Sequence, residues 1–64
     1  MYNKGDKVKH ITRQIVETVV GTCKVKTPDG WVEGIIYEGN DYNTGKPMTF
    51  VRTLEDFQNN FEPC

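Results

Sequence analysis

The 64-residue chain contains no serine and no alanine, only two cysteines (Cys23 and Cys64) and a single histidine, His10. Each scarcity removes a class of chemistry. Without serine there is no serine nucleophile. A structural zinc site takes about four Cys or His ligands, and the whole chain offers three. A Cys–His nucleophile requires Cys23 beside His10 with a third group to orient the base. Cys23 alternates with core-facing positions instead, which is the setting of a buried, inert thiol. The glycine patterns that cradle nucleotide phosphates are absent. Glu33 with Glu38 or Asp41 is the acid–base pairing to weigh, yet nothing in the sequence sets their separation and so small a domain has no deep cleft. The expectation is a protein that is not an enzyme, with no catalytic residue, no metal and no cofactor.

Long hydrophobic runs are missing too. No stretch approaches the roughly 20 apolar residues of a membrane span, and the opening Met1-Tyr2-Asn3-Lys4-Gly5-Asp6 lacks the apolar centre of a signal peptide. These absences lead to the expectation of a cytoplasmic protein with no membrane partner and two reduced thiols. Neither charge dominates: the formal net charge is −1, which argues against a molecule built wholly as a nucleic-acid clamp. The charges are unevenly placed, however. Residues 1–26 carry six bases against two acids, a balance of +4, and residues 27–64 carry two bases against seven acids, a balance of −5.

What is present fits one small β domain spanning residues 1–64. A chain of this size buries about 60% of the surface its unfolded form exposes, and one core supplies on the order of 3 to 5 kcal/mol. The organising stretch is Thr27-Pro28-Asp29-Gly30, a turn that feeds Trp31 to Tyr37, a run rich in aromatic and β-branched residues. Ile15 to Lys26 is equally β-branched and is interrupted by Gly21, which marks a bulge or bend. The two runs predict a hairpin centred on Asp29. A bulged turn led by Pro28 pairs Cys23 with Ile35 and Val25 with Glu33; a plain Asp29-Gly30 turn pairs Lys24 with Ile35 and Lys26 with Glu33. The type I geometry preset by Pro28 favours the first.

Around this hairpin the chain reads as a lysine-rich edge strand from Lys7 to Ile11, a polar break at Thr12-Arg13-Gln14, a loop from Glu38 to Pro47 and a strand from Met48 to Arg52. Thr53-Leu54-Glu55-Asp56 has the form of a capping box in which Asp56 reaches back. Leu54, Phe57 and Phe61 follow at helical spacing to plug one end of a barrel, and Pro63 ends the helix. The fold expected is mainly β: a small antiparallel barrel of about five strands with one short C-terminal helix.

Lys4-Gly5-Asp6-Lys7-Val8 resembles the Gly-Asp-x-Val that opens many SH3-like small barrels, and Gly30-Trp31-Val32-Glu33-Gly34-Ile35-Ile36 resembles the Trp-x-x-Gly-x-Val strand of Tudor-like and KOW-type members of that group. Ile35-Ile36-Tyr37, Gly45-Lys46, Phe50-Val51-Arg52 and Glu55-Asp56-Phe57 are similar to elements of short, uncharacterised bacterial and phage-encoded proteins. This second likeness covers most of residues 20 to 61 and implies a fold and a genomic setting, not an activity.

Two binding surfaces follow. Trp31, Tyr37 and Tyr42 form a candidate aromatic site for a protein partner, the more so given the Tudor resemblance, although a tryptophan after a turn also suits the rim of a core. Lys7 and Lys9 with Lys24 and Lys26, flanked by Arg13 and His10, form a candidate basic stripe for sequence-tolerant nucleic-acid binding. The plainer reading of lysines at period two is the wet face of a strand. Arg52 is expected to pair with Glu55 or Asp56. The function expected is a small intracellular interaction module, phage or mobile-element encoded, that binds a macromolecular partner, an unknown protein first, through the loop and the exposed strand surface; sequence-tolerant nucleic-acid binding is the alternative.

Overall fold

The computed structural model describes residues 2–64. Met1, the first residue of the opening stretch and of the single-domain span, lies outside the described residues. Five strands and one helix follow in the order β1 (Lys7–His10), β2 (Val16–Thr27), β3 (Gly30–Asn40), β4 (Pro47–Thr53), α1 (Leu54–Asn60) and β5 (Phe61–Pro63). All pairings are antiparallel, and the sheet runs β4-β3-β2-β1-β5. The mainly β class, five strands and the short C-terminal helix agree with the sequence. Barrel closure does not: β4 and β5 stand at opposite ends of the strand order, joined through α1 instead of by a ladder.

The β2–β3 hairpin forms, but in neither predicted register. Thr27 stands opposite Gly30, so the turn is Pro28-Asp29 and the pairs are Lys26 with Trp31, Val25 with Val32, Lys24 with Glu33 and Cys23 with Gly34. The Thr27 hydroxyl decides this. It accepts from the Asp29 N–H at 3.2 Å and donates to the Gly30 carbonyl at 2.9 Å, which closes the turn one position tighter than expected. Gly30 has φ +118°, a region open to glycine and strained for other residues.

The bulge foreseen at Gly21 is present as a register shift between Val19 and Gly21. Asp6 ends a turn in which Gly5 takes φ +93°, and Gly5 N–H and Asp6 C=O both bond the backbone of Val19. β1 is not an edge strand, because β5 adds to its free side through Val8–Pro63, Lys9–Glu62 and His10–Phe61. Pro63 therefore sits in a strand, and α1 ends at Asn60, where the Phe61 N–H bonds the Phe57 carbonyl. β3 runs to Asn40 and β4 starts at Pro47, so the loop is shorter than predicted.

Thr53 caps α1 by accepting from the Asp56 N–H. The return half of the capping box is missing, since the Asp56 carboxylate accepts from Arg52 Nη1 at 2.7 Å instead. The core comprises Val8, Val19, Ile35, Tyr37, Phe57 and Phe61, with Tyr2, Phe50 and Leu54 packed against it. Phe57 and Phe61 stack with centroids 4.4 Å apart, and Tyr37 meets them at 5.3 and 5.2 Å. Burying a side chain such as Phe57 stabilises a fold by about 1.5–3 kcal/mol, a large share of what one small core supplies.

Candidate functional site

Opposed residues share a face of a sheet and successive residues alternate, which places each candidate side chain. Lys7 stands opposite Thr18 and Lys9 opposite Val16, away from the core residues Val8 and Val19. The extra residue at Val20 then reverses the alternation of β2. Thr22, not Cys23, stands opposite the buried Ile35, and Lys24 and Lys26 continue on that core-facing side. The single basic stripe is thereby split: Lys7 and Lys9 lie on one face, Lys24 and Lys26 on the other. His10 flanks neither pair in solvent, being only 8% exposed with its ring edge-on to Phe61 at 5.0 Å. Cys23 is half-buried on the outer side against Gly34 instead of in the core, and both cysteines are free.

The aromatic trio is likewise divided. Trp31 is 67% exposed at the tip of the hairpin, with Lys26 Nζ 5.9 Å from its ring centre and the Lys24–Glu33 ion pair at 3.0 Å on the same face. Tyr37 lies six residues further along β3, about 20 Å away at strand spacing, and is buried. Tyr42 is exposed in the β3–β4 connection. Tyr37 and Tyr42 do come together, as walls of one hollow.

That hollow is a partly open space of about 200 Å³ between the β1–β2 turn and the β3–β4 connection, with His10, Arg13, Glu17, Tyr37, Asp41, Tyr42 and Arg52 among its walls. Arg52 Nε donates to the Tyr37 hydroxyl at 2.8 Å while Nη1 holds Asp56, so this guanidinium is fixed on two sides. Its carbon also lies 5.5 Å from the Phe61 ring centre. Arg13 lies over the Tyr42 ring at 5.6 Å. The Arg13 N–H donates to His10 Nδ1 at 3.2 Å, which assigns the proton of the neutral imidazole to Nε2. Burial, and then the charges of Arg13 and Arg52, hold the His10 pKa below its ordinary value.

Glu17 is the unusual member. Its Oε2 is buried and has no hydrogen-bond partner. Burial raises its pKa, with Arg52 and Arg13 acting in the opposite direction. The carboxyl fits because Gly39 has no side chain: a β-carbon there would stand 2.9 Å from Glu17 Cγ.

Sequence reading missed Glu17 and this role for Arg13, and it weighed Asp41 only as a partner of Glu33, whereas Asp41 lines the hollow and Glu33 does not. A signal was available in Gly39, since an isolated glycine inside a strand marks a close approach of another group. Among the described residues no three His, Cys, Asp or Glu side chains gather to hold a metal ion, and no helix is long and apolar enough to cross a membrane.

Compared with known proteins, the chain matches no family model, no curated protein and no solved structure.

Proposed function

We propose that the chain is a small SH3-like interaction module that acts inside the cell and binds a protein partner through the tip of the β2–β3 hairpin. The observation that carries this reading is the exposure of Trp31 at 67%, beyond the core and with no role in covering it. Large exposed aromatics of this kind are typical anchors of protein interfaces. The SH3-like assignment is supported by the resemblance motifs, whose residues occupy the turn before β1 and the first part of β3. A phage or mobile-element origin belongs to the same reading and rests on the resemblance alone.

Trp31 is the sole tryptophan, so its fluorescence reports on this surface directly. Protein captured by the wild type at high salt, with a blue shift of Trp31 emission, and lost on Trp31→Ala supports the module. Equal capture by Trp31→Ala overturns it.

A second reading has its own observation: Lys24, Lys26 and Trp31 share one face of the hairpin. A stacking ring beside two ammonium groups suits a single-stranded nucleic acid. Retention on a single-stranded DNA or RNA column that collapses with added salt and falls in Lys26→Gln would favour it.

A further inference from the structure

We propose that β4 is the docking edge for a second copy of this chain, the two β4 strands lying antiparallel about a two-fold axis at Phe50. The two edges of the sheet differ in their protection. β5 is three residues long and carries Glu62 and Pro63, a short, charged, proline-bearing edge of the kind that resists pairing. β4 is seven residues long, has no charged side chain from Pro47 to Val51, and has no strand on its far side among the described residues. Met48, Thr49 and Val51 are exposed there. Arg52 does not guard the edge, because its guanidinium is held by Tyr37 and Asp56.

The backbone pattern decides what fits. The Asp41 N–H donates to the Lys46 carbonyl at 2.7 Å, so these two form a hydrogen-bonded pair, and such pairs alternate along an antiparallel ladder. With Gly39 opposite Met48, Tyr37 opposite Phe50 and Ile35 opposite Arg52, Met48, Phe50 and Arg52 turn their amides toward β3. Pro47, Thr49, Val51 and Thr53 turn theirs outward. Pro47 suits this placement, since the missing N–H of proline is tolerated on the free side of an edge strand.

This outward row is complementary to itself. About an axis at Phe50, Thr49 of one copy stands opposite Val51 of the other, and each N–H meets the other's carbonyl. Pro47 stands opposite Thr53. Pro47 offers only a carbonyl, and Thr53 has only its N–H to pair, because as the N-cap its own carbonyl opens the hydrogen-bond ladder of α1. Moving the axis to Thr49 leaves the Val51 carbonyl facing Pro47, which has no donor. Moving it to Val51 leaves the Thr49 N–H facing the Thr53 carbonyl, which α1 already uses. Side chains agree with the Phe50 register: Arg52 falls opposite Met48, so no like charges meet, and exposed Val51 is covered by Thr49. A two-fold contact of this kind is closed and stops at two copies.

The test is sedimentation velocity and NMR amide exchange of the reduced full chain from about 10 μM to about 1 mM, the range for a weak, small interface. Reducing conditions keep exposed Cys64 from linking copies. A dimer is expected to build with concentration, with slowed exchange at Thr49 and Val51. Thr49→Pro removes an outward donor without touching the bonds to β3, and Val51→Lys adds a charge to the edge. Each should weaken self-association at least tenfold while the far-UV circular dichroism stays that of the wild type. Either variant suffices if the other fails to fold. Glu62→Gln, at the opposite edge, should leave the dimer unchanged. A chain that is monomeric at about 1 mM overturns the proposal, even if an added extended peptide then protects Thr49 and Val51. So does a dimer without that protection, or one that the folded variants form as readily as the wild type.

Discussion

The carboxyl of Glu17 lies over Gly39 in the space that a β-carbon on Gly39 would fill, 2.9 Å from Cγ and 3.0 Å from Cδ and Oε1. One strand thus makes room for a charged group on its neighbour, and that group ends buried without a partner. Gly39→Ala is expected to push the carboxyl aside into the hollow. The measurement is an NMR titration of the Glu17 carboxyl together with thermal unfolding: its midpoint should move back toward the ordinary value while the cooperative transition remains. An unchanged Glu17 midpoint in Gly39→Ala would show that the glycine does not position Glu17.

Stability should respond to Glu17 in a way that depends on pH. Its folded pKa lies above the ordinary 4.5 because burial disfavours the charge. A raised carboxylate pKa contributes stability that is complete below the unfolded value and lost as pH rises through the folded value. Glu17→Gln cannot ionise, so it is expected to resist urea better than the wild type at about pH 8 and equally at about pH 4. Urea midpoints across that range decide it, and a variant weaker at both ends contradicts the burial argument.

His10 has the opposite sense. Its folded pKa lies below 6.5, chiefly through burial and then through Arg13 and Arg52. The unfolded chain therefore takes up the proton more readily, and the stability this residue contributes is present above about pH 6.5 and lost as pH falls through the lowered value. NMR titration of the imidazole should give a midpoint below that of a free histidine; a normal or raised midpoint refutes the neutral, Nε2-protonated form.

Gly34 is pinned from three sides. A β-carbon there would stand 2.6 Å from Val25 Cγ2, 3.0 Å from Cys23 Sγ and 3.3 Å from the Arg52 carbonyl oxygen. Overpacking of this kind costs about 1–3 kcal/mol. Gly34→Ala should lower the urea midpoint by a corresponding amount, whereas Gly21→Ala, which meets nothing within 4 Å, should change it far less.

The aromatic core leaves little margin. Phe57 is fully buried between Phe61, Tyr37 and Tyr2, and Phe→Ala in such a setting costs about 3–5 kcal/mol. That equals the whole stability expected of a domain this small. Phe57→Ala should be unfolded by circular dichroism at room temperature, while Trp31→Ala, exposed and outside the core, should unfold within about 0.5 kcal/mol of the wild type.

The sequence by itself determined the kinds of element and most of their places. β-Branched density set β2, aromatic and β-branched content set β3, Gly21 announced the bulge, and Thr53 announced the start of α1, because these are local preferences of backbone and side chain. Tertiary structure decided the rest. The hairpin register turned on one Thr27 hydroxyl, and the single extra residue at Val20 moved Lys24 and Lys26 to the face opposite Lys7 and Lys9, which no count of alternating residues could foresee without knowing where pairing slips. Phe61 to Pro63, expected to end a helix, became β5 because β1 had a free edge to pair. The hollow was illegible for the same reason: Arg13 and Glu17 lie far in sequence from Tyr42 and Arg52, and only the pairing of the strands brings the two groups around one space.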